Sequence, residues 1–304
     1  MAELYRVFGS QGEDLSGLPM VAMISGFTDS GLSTAQISDH FFANLDSDLL
    51  VRFNNDELLD YRSRRPSMYF EKDHIESYEP ATLGIHLMRD EAGQKFLFLE
   101  GYEPDFRWEA FSEAIVDLVE RFEVSSFTWV HSIPFPIPHT RPTGITVSGN
   151  RRDMTEKYSE WKPQTSVPGN VMHLLEFKLV EIEVPTVGFV LLVPHYLADN
   201  EVPQAALKGI ELITAATSLV FPTDEIRERE AKFSAKVESQ VQENQELAKL
   251  VQTLEAGYAS TDVGPSRSPI AKPRTEVPNA EQIAQELENY LASRSKTQGE
   301  ENAE

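Results

Sequence analysis

Up to Phe221, apolar residues follow two alternating rhythms. Short apolar runs at residues 21–25, 49–53, 83–88, 96–99, 127–130 and 187–193 read as strands. Residues 188–193 are apolar almost without interruption, as expected of a strand covered on both faces. Residues 90–93, Asp-Glu-Ala-Gly, read as a hairpin turn that adds one antiparallel pair. Trp108, Phe111, Ile115, Leu118 and Phe122 recur at spacings of three and four, which marks one face of a helix with Asp105 as its expected cap. Helices are also expected over residues 30–42, 171–180 and 203–219, with Pro203 tolerated in a first turn. Strands alternating with helices predict a three-layer α/β domain over residues 1–223, with a mostly parallel central sheet and helices on both faces.

Beyond Phe221 the rhythm changes. Residues 224–256 contain no Pro or Gly, and Ile226, Phe233, Val237, Leu247, Val251 and Leu254 form a narrow stripe interrupted at Gln240 and Asn244. This predicts one long amphipathic helix, roughly 50 Å at 1.5 Å per residue. Residues 257–279, with Pro265, Pro269, Pro273 and Pro278, read as an extended linker. Asn279 and Gln282 resemble a capping box, and residues 280–304 read as a short helix followed by an acidic tail. This helical extension either binds a protein partner or packs on its own domain.

Composition narrows the chemistry. The chain has 304 residues, 49 Asp+Glu against 27 Lys+Arg, a net charge of −22 and no cysteine. Disulfides, thiol catalysis and cysteine-ligated metals are excluded. The acidic balance argues against nucleic acid and anionic membrane as partners, since both are polyanions. With no long apolar run and no basic-then-apolar start, a cytoplasmic location is expected. The seven histidines are scattered and no H-E-x-x-H occurs, so neither metal nor cofactor is expected.

Four unusual segments follow predicted strands: residues 26–31 (GFTDSG), 100–105 (EGYEPD), 131–142 (HSIPFPIPHTRP) and 194–196 (PHY). If those strands are parallel, the segments share one edge of the sheet, where open α/β sheets bind ligands. Gly26, Thr28, Asp29, Ser30 and Gly31 are candidates for holding an anion at a helix start. The competing reading makes Asp29 or Ser30 an ordinary N-cap that occupies the same donors. The first lysine is Lys72, so no P-loop lysine is present. In the proline-rich segment, stiff backbone presents His139 as a candidate acid or base and Arg141 as a candidate clamp for a carboxylate or phosphate. The plainer alternative pairs both with nearby carboxylates. His195 and Tyr196 are candidates for the same cluster, and Glu100 is the expected strand-end carboxylate. Arg62, Arg64 and Arg65 form a small basic patch, read either as an anion site or as internal ion pairs. No G-x-S-x-G elbow occurs.

The ordered set GFTDSG, FLFLEGYEPDFRWEAF, HTRPTG, VPGNVMHLLE and VPHYL resembles the actinobacterial branch of the proteasome-assembly-chaperone family, over roughly residues 4–221. The resemblance implies a nucleoside-phosphorylase-like α/β fold and a homo-oligomer, a homotrimer by analogy. It also implies work through protein partners, with the C-terminal helices as the contact. Archaeal members dock through a terminal hydrophobic–Tyr–any-residue signature, whereas this chain ends Glu-Asn-Ala-Glu. Two functions are therefore expected in competition. One is a non-catalytic assembly chaperone or scaffold. The other is a hydrolase or phosphorylase-like enzyme, or small-molecule binder, using the strand-end crevice.

Overall fold

Eight strands form the central sheet of the computed structural model, in the order β1-β3-β6-β7-β2-β8-β10-β9. They are β1 (Tyr5–Val7), β2 (Pro19–Ser25), β3 (Ser47–Phe53), β6 (Leu83–Arg89), β7 (Lys95–Tyr102), β8 (Ser126–Phe135), β9 (Gly144–Gly149) and β10 (Thr186–Pro194). The structure describes residues 3–260 apart from Ser10, Gln11, Trp161 and Pro163. The linker expected over residues 257–279 is helical in its first four residues, because the last described helix runs on to Ser260; the rest of it, and the short helix and acidic tail expected over residues 280–304, lie outside the described residues.

The central strands β7, β2, β8 and β10 run parallel to their neighbours. Pairings at both flanks are antiparallel, so β3 joins these four in pointing one way. The hairpin expected at residues 90–93 joins β6 to β7. There the Asp90 carboxylate accepts from the Ala92 and Gln94 amides at 3.0 and 2.7 Å, which stabilises the turn.

Both faces of the sheet are covered. On one, α3 (Trp108–Arg121) and α5 (Val171–Glu181) bury Phe111, Ile115, Leu118, Leu175 and Leu179 against Leu97, Leu99 and Trp129. On the other, α1 (Ser33–Asn44), α6 (Pro203–Thr217) and α7 (Asp224–Glu243) bury Ile37, Phe41, Ile210, Ile213 and Ile226 against Phe96, Phe98 and Phe189. This is the three-layer α/β architecture that the alternating pattern predicts. Gly188 in β10 leaves room for the Trp129 ring, because a Cβ there would lie 2.3 Å from it. Among the described residues no helix is long and apolar enough to cross a membrane.

Several local expectations are corrected. Asp105 does not cap α3; its carboxylate accepts from the Asp60 amide at 2.8 Å, and the helix starts at Trp108 after a left-handed Arg107. Strand β8 runs on to Phe135 through Pro134. A proline is tolerated there because β2 pairs only with the first part of β8, and no neighbour on that side needs its N–H. The helix expected over residues 224–256 is two helices, α7 and α8 (Gln245–Ser260), separated at Asn244. Asn244 is extended, and its side chain accepts from the Glu246 and Leu247 amides at 3.0 and 3.1 Å, which favours a new N-terminus over continuation. Short elements that the sequence pattern does not predict are the edge strands β1 and β9, α2 (Asn55–Leu58), α4 (Arg152–Tyr158) and a separate ribbon of β4 (Ser67–Glu71) and β5 (His74–Glu79).

Candidate functional site

Because β7, β2, β8 and β10 are parallel, all four singled-out segments emerge at one edge of the sheet. They form distinct groups there.

The first group lies at the ends of β2 and β8. Gly31 and Leu32 are left-handed, at φ 72° and 48°, and delay the start of α1 to Ser33. Asp29 reaches past this irregular turn, and its carboxylate accepts from the Thr34 and Ala35 amides at 2.9 and 3.0 Å. The Ser132 hydroxyl donates to it as well, at 3.0 Å. The helix-start donors that would hold an anion are thus engaged by the chain's own carboxylate. Ser30 and Gly31 are buried, with the Ser30 carbonyl accepting from Ser33 Oγ at 2.7 Å. The Thr28 hydroxyl donates to the Ser132 carbonyl at 3.2 Å, which leaves its oxygen to accept from His131 Nε2 at 3.2 Å. In this arrangement His131 donates and is not positioned as a base for Thr28. Burial pulls the His131 imidazolium down to about 4; His173 adds to the effect and Asp29 opposes it. Phe27 stacks on the His131 ring and is itself exposed.

The second group lies at the end of β10. The Tyr196 hydroxyl accepts from the His139 amide at 2.8 Å and is then free to donate to His139 Nδ1 at 2.7 Å. Burial lowers the His139 pKa, while Glu238 and Glu255 oppose that shift. Arg141 Nε and Nη2 donate to Glu255 Oε2 of α8 at 2.9 and 2.7 Å, and Thr140 donates to the other carboxylate oxygen. Tyr258, also on α8, lies against the Arg141 guanidinium at 5.3 Å. His195 is exposed and meets Tyr196 edge-on.

The third group is at β7. Glu100 is half-buried, and burial followed by the nearby Asp39 charge raises its pKa to about 7. Strand order puts β7 three positions from β10, roughly 14 Å at about 4.8 Å per strand. Glu100 therefore stands apart from His139, Arg141, His195 and Tyr196, which do gather. Glu103, unnoticed in the sequence, accepts from the Val171 amide at the start of α5 at 2.7 Å. Gly26 permits this packing, since a Cβ there would come within 2.3 Å of Glu103 Cβ. Arg64 donates to the Glu103 carbonyl at 2.6 Å and pairs with Asp105 at 3.3 Å, so one arginine of the basic patch is internal.

His131 and Glu103 lie within segments the sequence marks; His131 directly continues the buried run of residues 127–130, which was the signal that could have identified it. Nothing local announces Glu255 or Tyr258. Among the described residues no group of three or more His, Asp or Glu is arranged to hold a metal ion.

A model of the PAC2 family matches residues 23–241. A protein of unknown function from Corynebacterium glutamicum is 34% identical, with a TM-score of 0.80 over 85% of this chain and 98% of that one. A protein of unknown function from Mycobacterium tuberculosis is 35% identical, with a TM-score of 0.79 over 85% of this chain and 90% of that one. A proteasome-assembly chaperone homologue from Mycobacterium tuberculosis shares the fold at 18% identity, with a TM-score of 0.70 over 77% of this chain and 100% of that one. No curated protein sequence matches the chain.

Proposed function

The chain belongs to the PAC2 family, and from that premise we propose that it is a non-catalytic, assembly-chaperone-like or scaffold protein that acts through protein contacts as a homo-oligomer. The observation that carries this reading is the state of the strand-end loop. Its most reactive-looking groups, Thr140 and Arg141, hold the chain's own Glu255, while His139 is tied to Tyr196. Polar groups spent on internal contacts build a shaped surface, not a reaction centre.

The partner is a protein met through the C-terminal helices in the cytoplasm, with no cofactor required. In α7 only Ile226 and Val237 are fully buried, which leaves a wide charged face outward. The shared fold with a proteasome-assembly chaperone homologue makes proteasome subunits the first partners to test. Purified chain is mixed with the α and β proteasome subunits of its own organism and followed on native gels. Comigration with a subunit, or faster assembly, is expected for the full chain and reduced for a version ending at residue 244. No comigration and an unchanged assembly rate would sink the proposal.

One observation favours the competing enzyme or small-molecule reading: a carboxyl that titrates near neutrality suits acid–base work, and Glu100 is such a group. Its separation from the His139 group weighs against it. Thermal shift with a nucleoside panel tests this, and a stabilisation abolished by Glu100→Gln would revive it.

A further inference from the structure

Arg229, Lys232, Phe233 and Lys236 recur at helical spacing and share one face of α7. That face meets Asn200, Glu201 and Pro203, where the chain enters α6, across a groove of about 320 Å³. The volume falls at the lower end of ligand-binding clefts, about 300–1,000 Å³. Its lining holds three cations against one carboxylate, in a chain whose net charge is −22.

The fold positions these cations without consuming them. Arg229 Nη2 donates to Gln36 Oε1 at 2.9 Å and to Glu201 Oε2 at 3.0 Å. Gln36 is 5% exposed and is itself fixed, because its Nε2 donates to the Gly31 carbonyl at 2.7 Å. The guanidinium is therefore held at the groove with Nε and Nη1 left to donate, among the described residues. Lys232 reaches Glu228 at 2.6 Å, but the two side chains are 73 and 68% exposed. Such a pair contributes little and yields readily to a competing carboxylate. Lys236 is exposed and has no ion pair among the described residues. The one acidic group of the lining, Glu201, is already engaged by Arg229.

We propose that this groove binds an acidic peptide segment of a protein partner, with carboxylates two residues apart. Spacing selects that occupant. Lys232 and Lys236 stand one helical turn apart, about 6 Å at 1.5 Å per residue. In an extended peptide, alternate side chains point the same way about 6.6 Å apart, so two carboxylates meet the two ammonium groups. The free N–H groups of Arg229 take a further acceptor from the same segment. Half-buried Phe233 lies between the cations and offers an apolar floor, which a bare inorganic ion leaves unused. Because the groove joins α7 to the chain entering α6, its occupant also fastens the helical extension to the domain. This inference deepens the protein-partner reading and rests on it. Its test uses the purified chain alone, so peptide binding can fail while comigration with a proteasome subunit stands, and the reverse.

Fluorescence anisotropy of the full chain supplies the test, with a labelled hexapeptide of alternating Glu and Leu as the probe. It should bind saturably, and a counterpart with Gln in place of Glu should bind at least about 10-fold more weakly. Lys236→Glu should weaken binding of the acidic probe about 10-fold, and adding Lys232→Glu should bring the loss to about 100-fold. Both lysines are exposed, and circular dichroism confirms that each variant is folded. Lys249→Glu makes the same charge change on α8, outside the groove lining, and should alter binding by no more than about 2-fold. Inorganic phosphate should displace the probe only at about 100-fold excess or more. No saturable binding by about 1 mM probe, equal binding of the Gln counterpart, or indifference to Lys236→Glu would each overturn the proposal. Displacement by phosphate at matched concentration would overturn it too, by assigning the groove to a bare anion.

Discussion

Arg141 and Glu255 stand 114 residues apart in sequence, yet two guanidinium nitrogens of one meet a single carboxylate oxygen of the other. The contact ties the strand-end loop to α8. Hydrogen bonding from Thr140, then from Arg141, holds the Glu255 carboxyl below its ordinary value of 4.5. A depressed carboxylate keeps its contact from neutral pH to below 4.5 and loses it as pH falls through the lowered pKa. Glu255→Gln should therefore raise amide exchange across α8 several-fold at pH 7 and remove its acid-dependent step. Global stability should change by less than about 1 kcal/mol, as for exposed ion pairs. Hydrogen-exchange mass spectrometry checks this, and unchanged α8 protection would contradict it.

Gly188→Ala tests the sheet interior. The new Cβ would sit 2.3–2.5 Å from Trp129 ring atoms, and Trp129 is fully buried. The indole cannot swing away freely, because its Nε1 donates to Glu176 at 2.7 Å. Overpacking of this kind costs about 1–3 kcal/mol. Urea denaturation should show a lower midpoint at unchanged slope, and a wild-type midpoint would mean the ring relocates without cost.

Glu100 sets a pH dependence of defined sign. Its folded pKa of about 7 exceeds the ordinary 4.5, so between these values the folded state holds a proton that the unfolded state has released. Stability from this group is complete below 4.5 and falls as pH rises toward 7, by up to roughly 3 kcal/mol at about 1.4 kcal/mol per unit. His131 acts in the opposite direction, since its folded value of about 4 makes stability fall as pH drops from 6.5. Comparing wild type with Glu100→Gln cancels His131 and isolates the carboxyl. The variant should gain melting temperature relative to wild type as pH goes from 4.5 to 7; parallel curves would refute the assignment.

Much of the sheet was readable because its strands bury one or both faces and so show period two or continuous apolar runs. The turn at Asp90 was readable because its chemistry is local. The ribbon escaped notice because the bulge at Glu76 breaks the alternation that pairs Ile75 and Tyr78 with Met68 and Phe70. Asp105 looked like a cap from spacing alone, but its carboxylate goes to Asp60, 45 residues away in sequence. The strand-end candidates were placed at the correct edge by topology. Which of them touch depends on strand order, and strand order is a long-range property that no local pattern carries. The same limit hid the Arg141–Glu255 contact.

The break at Asn244 predicts how the chain tolerates shortening. Ile226 and Val237 of α7 are 1 and 3% exposed and belong to the core beneath α1 and α6. Burying each such side chain is worth about 1.5–3 kcal/mol, so removing α7 strips several kcal/mol from a domain whose net stability is about 5–15 kcal/mol. Beyond Asn244 the only fully buried apolar side chain among the described residues is Val251, at 7% exposure. A chain ending at residue 244 should fold and melt within a few degrees of wild type, with its strand-end loop newly open to exchange. A chain ending at residue 223 should melt far lower or precipitate. Calorimetry on the two versions decides the point, since equal melting temperatures would show that α7 is as dispensable as α8.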